Sequence, residues 1–459
     1  MTRPILLNAF EMLVPAFQSP GLWRHPDDES NRYTDLSFWT ELAQTLEGGG
    51  FSGIFLADVL GQYDVYGGNA DAALRGGVQY PMLDPTLITS ALAAATERIG
   101  FGVTASVTYE QPYLLARRFS TLDHLTGGRV GWNIVTSYQD SAARNLGLSG
   151  QIPHDKRYDR AEEYMDVVYK LWEGSMDDDA VAADRESGVY VDPEKVQGIG
   201  HDGEHFTVPG PSLVEPSPQR TPLLFQAGAS PRGQAFAANH AEAIFFIGYS
   251  PQMVRGWVDN VRGELVSRDR SADSVKIFAM VTVIVAETDA EAQAKLEDYT
   301  QYVDPEAALA LFGGWTGVDL KGADLDSPLE HVESEANQSA LASFTKLDPS
   351  RVWTVRELAK FISIGGRGPV IVGSPETVAD ELERWMDEAD VDGFNLSSAV
   401  RPADQQSFTR LVSPELRRRG LLPEPVKGQT FREAVLGKGS RLAEDHRGAQ
   451  FRSAGVASA

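Results

Sequence analysis

Eight short apolar and β-branched runs punctuate the chain, each bounded by Gly, Asp or Ser. They are ILLNAF (5–10), GIFLAD (53–58), IGFGVTAS (99–106), VGWNIV (130–135), LLFQAG (223–228), AIFFIG (243–248), VKIFAMVTVIV (275–285) and GFNLSSA (393–399). Most are apolar at consecutive positions, the pattern of strands covered on both faces. Amphipathic helical patterns lie between most of them. FWTELAQTLEGGG places Phe38, Leu42 and Leu46 on one face and ends on glycines suited to a helix C-terminus. SPETVADELERWMDEAD offers Ser374 as cap and Pro375 at the first helical position. Strands alternating with helices in this way predict an α/β chain folded as a (β/α)8 TIM barrel. An open doubly wound sheet is the second reading, weakened because no G-x-G-x-x-G follows the first strand.

Two segments break the repeat. Residues 174–222 run acidic and then Gly- and Pro-rich, and residues 304–368 contain LFGGWTGVDL followed by polar stretches. Both are expected to be insertions serving as lids or oligomer contacts. In the second, Gly313, Gly314 and Gly317 offer hinge-like freedom, while Phe312 and Trp315 offer apolar cover. The barrel with its insertions is expected to span 1–420, and the charged tail 421–459 to form a C-terminal arm on the surface or a frayed end.

The chain has 459 residues, 42% hydrophobic and 23% charged, as in an ordinary globular protein. Its formal net charge of −24 argues against nucleic acid and anionic membranes as partners. The absence of cysteine excludes disulfides, iron–sulfur clusters, thiolate zinc sites and a cysteine nucleophile. No secretory signal is visible, and no apolar run approaches the roughly 20 residues needed to cross a bilayer. A cytoplasmic protein is expected.

HDGEH (201–205) matches the spacing of some zinc peptidases, but Asp202-Gly203 and the following FTVPGP have the grammar of a hairpin, so no metal site is expected. A glycosidase barrel needs paired carboxylates, and only Asp58 stands at a predicted strand end. The other strand ends are neutral and polar: Asn8, Thr104 with Ser106, Asn133 with Ser137 and Tyr138, and Gln226. Ser230, in GASPRG, opens a helix at the same face. A helix N-terminus flanked by serines favours a phosphate, although Ser230 and Ser137 could simply cap helices. In IPHDKRYDRAEEYMDVVYKLWEG (152–174), His154 and Tyr158 share one helix face and add two donors at the same mouth.

These motifs, with NAFEM, GLWRHP, RYTDLSFWTELAQ, FLADVLGQYDVY, EQPYLLARRFSTLDHLTGGRVGWNIVTS, FQAGASPRG and the tail GKGSRLAEDH, resemble the bacterial-luciferase-like flavin monooxygenases. The resemblance covers nearly the whole chain. It points to the branch holding nitrilotriacetate, dibenzothiophene-sulfone, dimethyl-sulfide and long-chain-alkane monooxygenases. It implies an oxygenase that uses reduced FMN (FMNH2) and O2 through a flavin (hydro)peroxide. A separate NAD(P)H:flavin oxidoreductase would supply the reduced flavin, and the chain would form a homodimer or homotetramer. By matching position, Asp58 and Thr104 contact the flavin, and Ser137, His154, Tyr158 and Ser230 hold its ribityl and phosphate groups. Tyr63, Gln79 and Tyr138 line the substrate side, with Tyr138 placed to donate a hydrogen bond.

Departures from the family pattern bear on the substrate. Alkane-type members carry cysteine and histidine near Val14 and Phe17, and histidine at Tyr138 and Leu311. Here the pocket is more apolar and poorer in proton carriers, which suits an apolar or sulfur-containing organic molecule. Three rivals remain at this point. They are a riboflavin-lyase-like enzyme that degrades a flavin, an F420-dependent oxidoreductase on the same barrel, and a non-enzymatic flavin-binding protein.

Overall fold

The computed structural model describes residues 3–332, 335–348, 350–424 and 426–453. Its strands are β1 (Leu6–Glu11), β2 (Gly53–Leu56), β3 (Gly100–Ser106), β4 (Val130–Val135), β5 (His201–Asp202), β6 (Thr207–Val208), β7 (Leu223–Ala227), β8 (Ala243–Phe246), β9 (Lys276–Val285), β10 (Val370–Gly373) and β11 (Gly393–Ser397). Eight of them close a parallel barrel in the order β1-β2-β3-β4-β7-β8-β9-β11, with β11 returning to β1 at Leu6↔Gly393. These eight are the eight apolar runs. β10 was not among them. It is a short parallel strand paired to the far end of the ten-residue β9, at Val370↔Thr282.

The pleat explains the composition of each strand. In β4, Val130, Trp132 and Ile134 point outward into the apolar layer beneath the helices. Gly131 and Asn133 face the lumen, which is filled by Phe10, Phe55, Phe225, Phe245 and Phe278. A Cβ on Gly131 would lie 2.9 Å from the Phe225 ring, so glycine is what lets that ring cross the barrel.

The HDGEH segment is the expected hairpin: β5 and β6 pair antiparallel, and His201 Nε2 lies 3.1 Å from Glu163 Oε1. No group of three or more potential metal ligands occurs among the described residues. Nor, among them, is any helix long and apolar enough to cross a membrane.

One strand end carries a carboxylate that the sequence reading missed. β1 runs on to Glu11, which is fully buried, accepts a hydrogen bond from Gln405 (2.6 Å) and pairs with Arg401 (3.3 Å). Burial raises its pKa, and Arg401 opposes that rise. It ties β1 to the segment after β11.

The 304–368 insertion builds a second apolar core from helices Pro305–Thr316, Gln338–Thr345 and Val355–Ile362. Here the hinge reading is corrected. Gly313 and Gly314 lie inside a buried helix, and only Gly317 takes positive φ, as its C-cap. A Cβ on Gly314 would fall 1.7 Å from the Tyr63 ring, so this glycine serves close packing. The tail also does more than wrap the surface. Phe431 enters the N-terminal end of the barrel, where a Cβ on Gly53 or Gly100 would come within 2.5 Å of its ring. Arg432 forms a buried bidentate pair with Glu242 (2.7 and 2.8 Å).

Candidate active site

The C-terminal ends of β2, β4 and β7, the start of helix Pro231–His240, the start of helix His154–Tyr169 and residues 336–339 enclose one cleft of about 180 Å³. Of the residues expected at a cofactor site, Asp58, Ser137, His154, Tyr158 and Ser230 all line it, and so does Tyr138. Thr104 does not. It sits deeper in the barrel, facing Asn133 in register and accepting a hydrogen bond from the Asn133 amide at 2.8 Å.

Each lining residue is fixed by local geometry. Ser230 caps the helix that starts at Pro231 by accepting from the Gly233 N–H, so that helix directs its first-turn N–H groups at the cleft. A Cβ on Gly233 would lie 2.9 Å from Tyr158 Oη, so glycine lets the tyrosine reach across. The Tyr158 hydroxyl lies beside those of Thr136 and Ser230, and burial pushes its pKa up. Ser137 takes φ +56°, unusual for a side-chain-bearing residue, and its Oγ is 2.9 Å from Ser106 Oγ. Strain of this kind persists where the surroundings enforce it. The His154 ring meets Tyr158 edge-on at 5.2 Å and bonds Asp155 at 2.8 Å.

Asp58 has an unusual electrostatic position. Burial first, and then the negative charges of Asp84 and Glu110, raise its pKa to about 8. At neutral pH it is therefore an uncharged acid that can donate a hydrogen bond. Because the pKa is raised, this form prevails below about pH 8 and is lost as pH rises through that value. If only the neutral acid supports binding of an anionic cofactor, affinity should fall about tenfold per pH unit above that point. Fluorescence titrations from pH 6 to pH 10 measure this, and Asp58→Asn should flatten the alkaline limb. An unchanged limb in that variant would assign it to another group.

Arg157 is the cleft residue that sequence reasoning missed. It is buried, donates to the backbone carbonyls of Ile152 (2.7 Å) and Glu335 (2.9 Å), and leaves its Nε without a partner. Burial lowers its pKa, but not enough to discharge a guanidinium. Its signal was present in the sequence, since Arg157 is three residues after His154 and so on the same helix face.

Tyr138 also lines a neighbouring cavity of about 330 Å³ with Tyr63 and Gly314. There the hydroxyls form a relay. Gln79 Nε2 donates to the Phe17 carbonyl (3.3 Å), which turns its Oε1 toward Tyr63 Oη at 2.7 Å. Tyr63 thus donates to Gln79, and Tyr138, at 2.9 Å, donates to Tyr63. Burial raises both phenols, Tyr138 to about 12, so both are neutral at physiological pH. The three residues expected on the substrate side are therefore one connected group. Val14, Phe17 and Leu311 are buried and apolar, as the sequence reading expected.

Comparison with known proteins agrees with this architecture. The family model described as luciferase-like monooxygenase matches residues 14–392. The dimethyl-sulfide monooxygenase of Hyphomicrobium sulfonivorans is 50% identical over 99% of this chain and 95% of its own length. The long-chain alkane monooxygenase of Geobacillus thermodenitrificans is 46% identical over 99% of both. Among solved structures, a riboflavin lyase with modified FMN and riboflavin superposes with a TM-score of 0.92 at 37% identity, covering 98% of this chain and all of the other. An F420-dependent secondary alcohol dehydrogenase is 13% identical with a TM-score of 0.57, a likeness of fold alone. Barrel, insertions and full-length similarity together place this chain among the luciferase-like monooxygenases.

Proposed function

We propose that this chain is the oxygenase of a two-component system that uses reduced FMN and O2 to oxidise an apolar or sulfur-containing organic substrate. A separate NAD(P)H:flavin oxidoreductase supplies the reduced flavin. The observation that carries this reading is the cleft lined together by Arg157, Tyr158, Ser137, the Ser230 helix start and Tyr138. The donor set fits FMN. Arg157 Nε, Gln226 Oε1 and Gln139 Nε2 all belong to residues of the cleft wall and are buried without hydrogen-bond partners, as suits a ligand bearing both donors and acceptors. In this reading Arg157, Tyr158 and Ser230 hold the phosphate, Ser137 and His154 the ribityl chain, and Asp58 faces the ring, while Thr104 acts from behind the cleft wall by holding the Asn133 amide. When bound, reduced FMN supplies the two electrons that let one atom of O2 enter the substrate while the other leaves as water. The buried Val14, Phe17 and Leu311 keep water from the substrate side. A homodimer or homotetramer in the cytoplasm belongs to the same proposal.

The test is aerobic incubation with FMN, NADH and a generic flavin reductase against a panel of alkanes, sulfides, sulfones and riboflavin, read by mass spectrometry. An oxygenated product supports the proposal, and flavin oxidation that yields only hydrogen peroxide overturns it. Riboflavin is in the panel because the riboflavin lyase is so similar in structure. Its breakdown would favour that second reading.

Within this function Tyr138 acts through its hydroxyl. Its resting proton points to Tyr63, so donation to a ligand requires the relay to turn over. Tyr138→Phe should leave FMN affinity within a few-fold and lower product formation at least tenfold, about 1.4 kcal/mol of barrier. Full activity in the phenylalanine variant would reassign the ring to packing.

A further inference from the structure

Arg367 differs from every other buried arginine among the described residues. It sits in the turn Gly365–Gly368, where Gly365 and Gly366 both take positive φ (+78° and +61°). A Cβ on Gly366 would strike the Gln18 amide oxygen at 2.1 Å, so the turn is pressed against the loop after β1. The side chain is left 9% exposed, with its guanidinium 5.1 Å from the centre of the Trp315 ring. The buried Arg129, Arg157, Arg220, Arg270, Arg401 and Arg432 donate to backbone carbonyls or carboxylates. Arg367 makes no such bond among the described residues, and its Nε is buried without a partner. The ionisable groups whose fields reach it are the Tyr63 and Tyr138 hydroxyls, and both are neutral.

An arginine stays charged even when buried. A buried charge with no counter-charge is strongly unfavourable unless another group completes it. No carboxylate among the described residues does so. The guanidinium fork matches a carboxylate, sulfinate or sulfonate, whose two oxygens can each accept from it. Trp315 lies against the guanidinium, and Gly314, its neighbour in the chain, lines the substrate-side cavity together with Tyr63 and Tyr138.

We propose that Arg367 is the anion-binding pole of the substrate pocket, and that the substrate carries a carboxylate, sulfinate or sulfonate on its apolar or sulfur-containing body. This rests on the oxygenase reading and narrows it. Neutral alkanes and simple dialkyl sulfides would leave the guanidinium uncompensated and would be weak ligands.

The test is calorimetric titration of the FMN-loaded protein with hexanoate and hexanesulfonate against 1-hexanol and dipropyl sulfide. The anions should bind at least tenfold more tightly than the neutral compounds. Arg367→Met should abolish that difference, and Arg367→Lys should retain part of it, since lysine keeps the charge but loses the fork. Oxidised FMN should bind both variants within twofold of the parent, which separates loss of the anion pole from loss of the fold. Equal affinity for anions and neutral compounds in the parent would overturn the proposal, as would an undiminished preference in Arg367→Met. If the methionine variant does not fold, the parent's discrimination and the lysine variant decide the matter. Failure here leaves the flavin reading intact, because that reading fails separately if the parent does not prefer FMN over riboflavin.

Discussion

Replacing Arg157 by methionine is expected to weaken FMN binding roughly ten- to hundredfold while leaving riboflavin within a few-fold, because only FMN brings a phosphate to the cleft. A hydrogen bond to a charged group contributes about 1.5–3 kcal/mol, and a helix terminus about 0.3–1 kcal/mol more. Arg157 is held by two backbone carbonyls, so its orientation is set before the ligand arrives. The chain's net charge of −24 opposes an anionic ligand, yet at a Debye length of about 8 Å that repulsion is confined and the local donors should dominate. Titrating the apoprotein with FMN, riboflavin and F420 measures the effect. The Tyr158→Phe, Ser230→Ala double variant is the companion, and it should lose the same preference without removing a charge. Equal affinity for FMN and riboflavin in the parent would remove the phosphate site and the cofactor assignment with it.

The second large effect is structural. Phe431→Ala should destabilise the protein by about 3–5 kcal/mol, the usual cost of deleting a buried aromatic ring. The site has little room to relax, since the ring is 2% exposed and meets Phe225 at 5.6 Å beside glycines already at closest approach. Urea unfolding followed by fluorescence gives the number, with an unchanged m-value as the check that the unfolded state is unaltered. Stability within about 0.5 kcal/mol of the parent would show that the ring does not seal the barrel, since changes that small are typical of surface sites.

The eight barrel strands were legible because each is covered on both faces and so reads as an unbroken apolar run. β10 was hidden in GPVIVGS, four residues between a Gly-Pro and a helix cap, where only Ile371 and Gly373 are buried, so it is not covered on both faces as the barrel strands are. The cleft was legible where polar residues interrupt strand ends or open helices, as at Asp58, Ser137 and Ser230. Arg157 and Arg367 were not. An arginine on a charged helix or in a glycine-rich turn looks like a solvated one until burial is known. Gly314 misled for a related reason, since glycine reads as freedom in a sequence and this one is the close approach of a helix to Tyr63. The tail looked peripheral because its charges are visible in the sequence and the single ring it inserts is not.

The pairing of β1 with β11 has a consequence for how the molecule is made. The strand that starts at Leu6 pairs early with β2 but finds its second neighbour only at Gly393, and the ring that closes the floor arrives at Phe431. On a ribosome the first strand therefore emerges long before the last, and for nearly the whole of synthesis the barrel is an open sheet with two unpaired edges. Such edges invite pairing with other chains. Closure is a late, long-range event, slow for the loop entropy it must overcome. Soluble yield should then depend on what shields the β1 edge during translation as much as on the stability of the finished barrel.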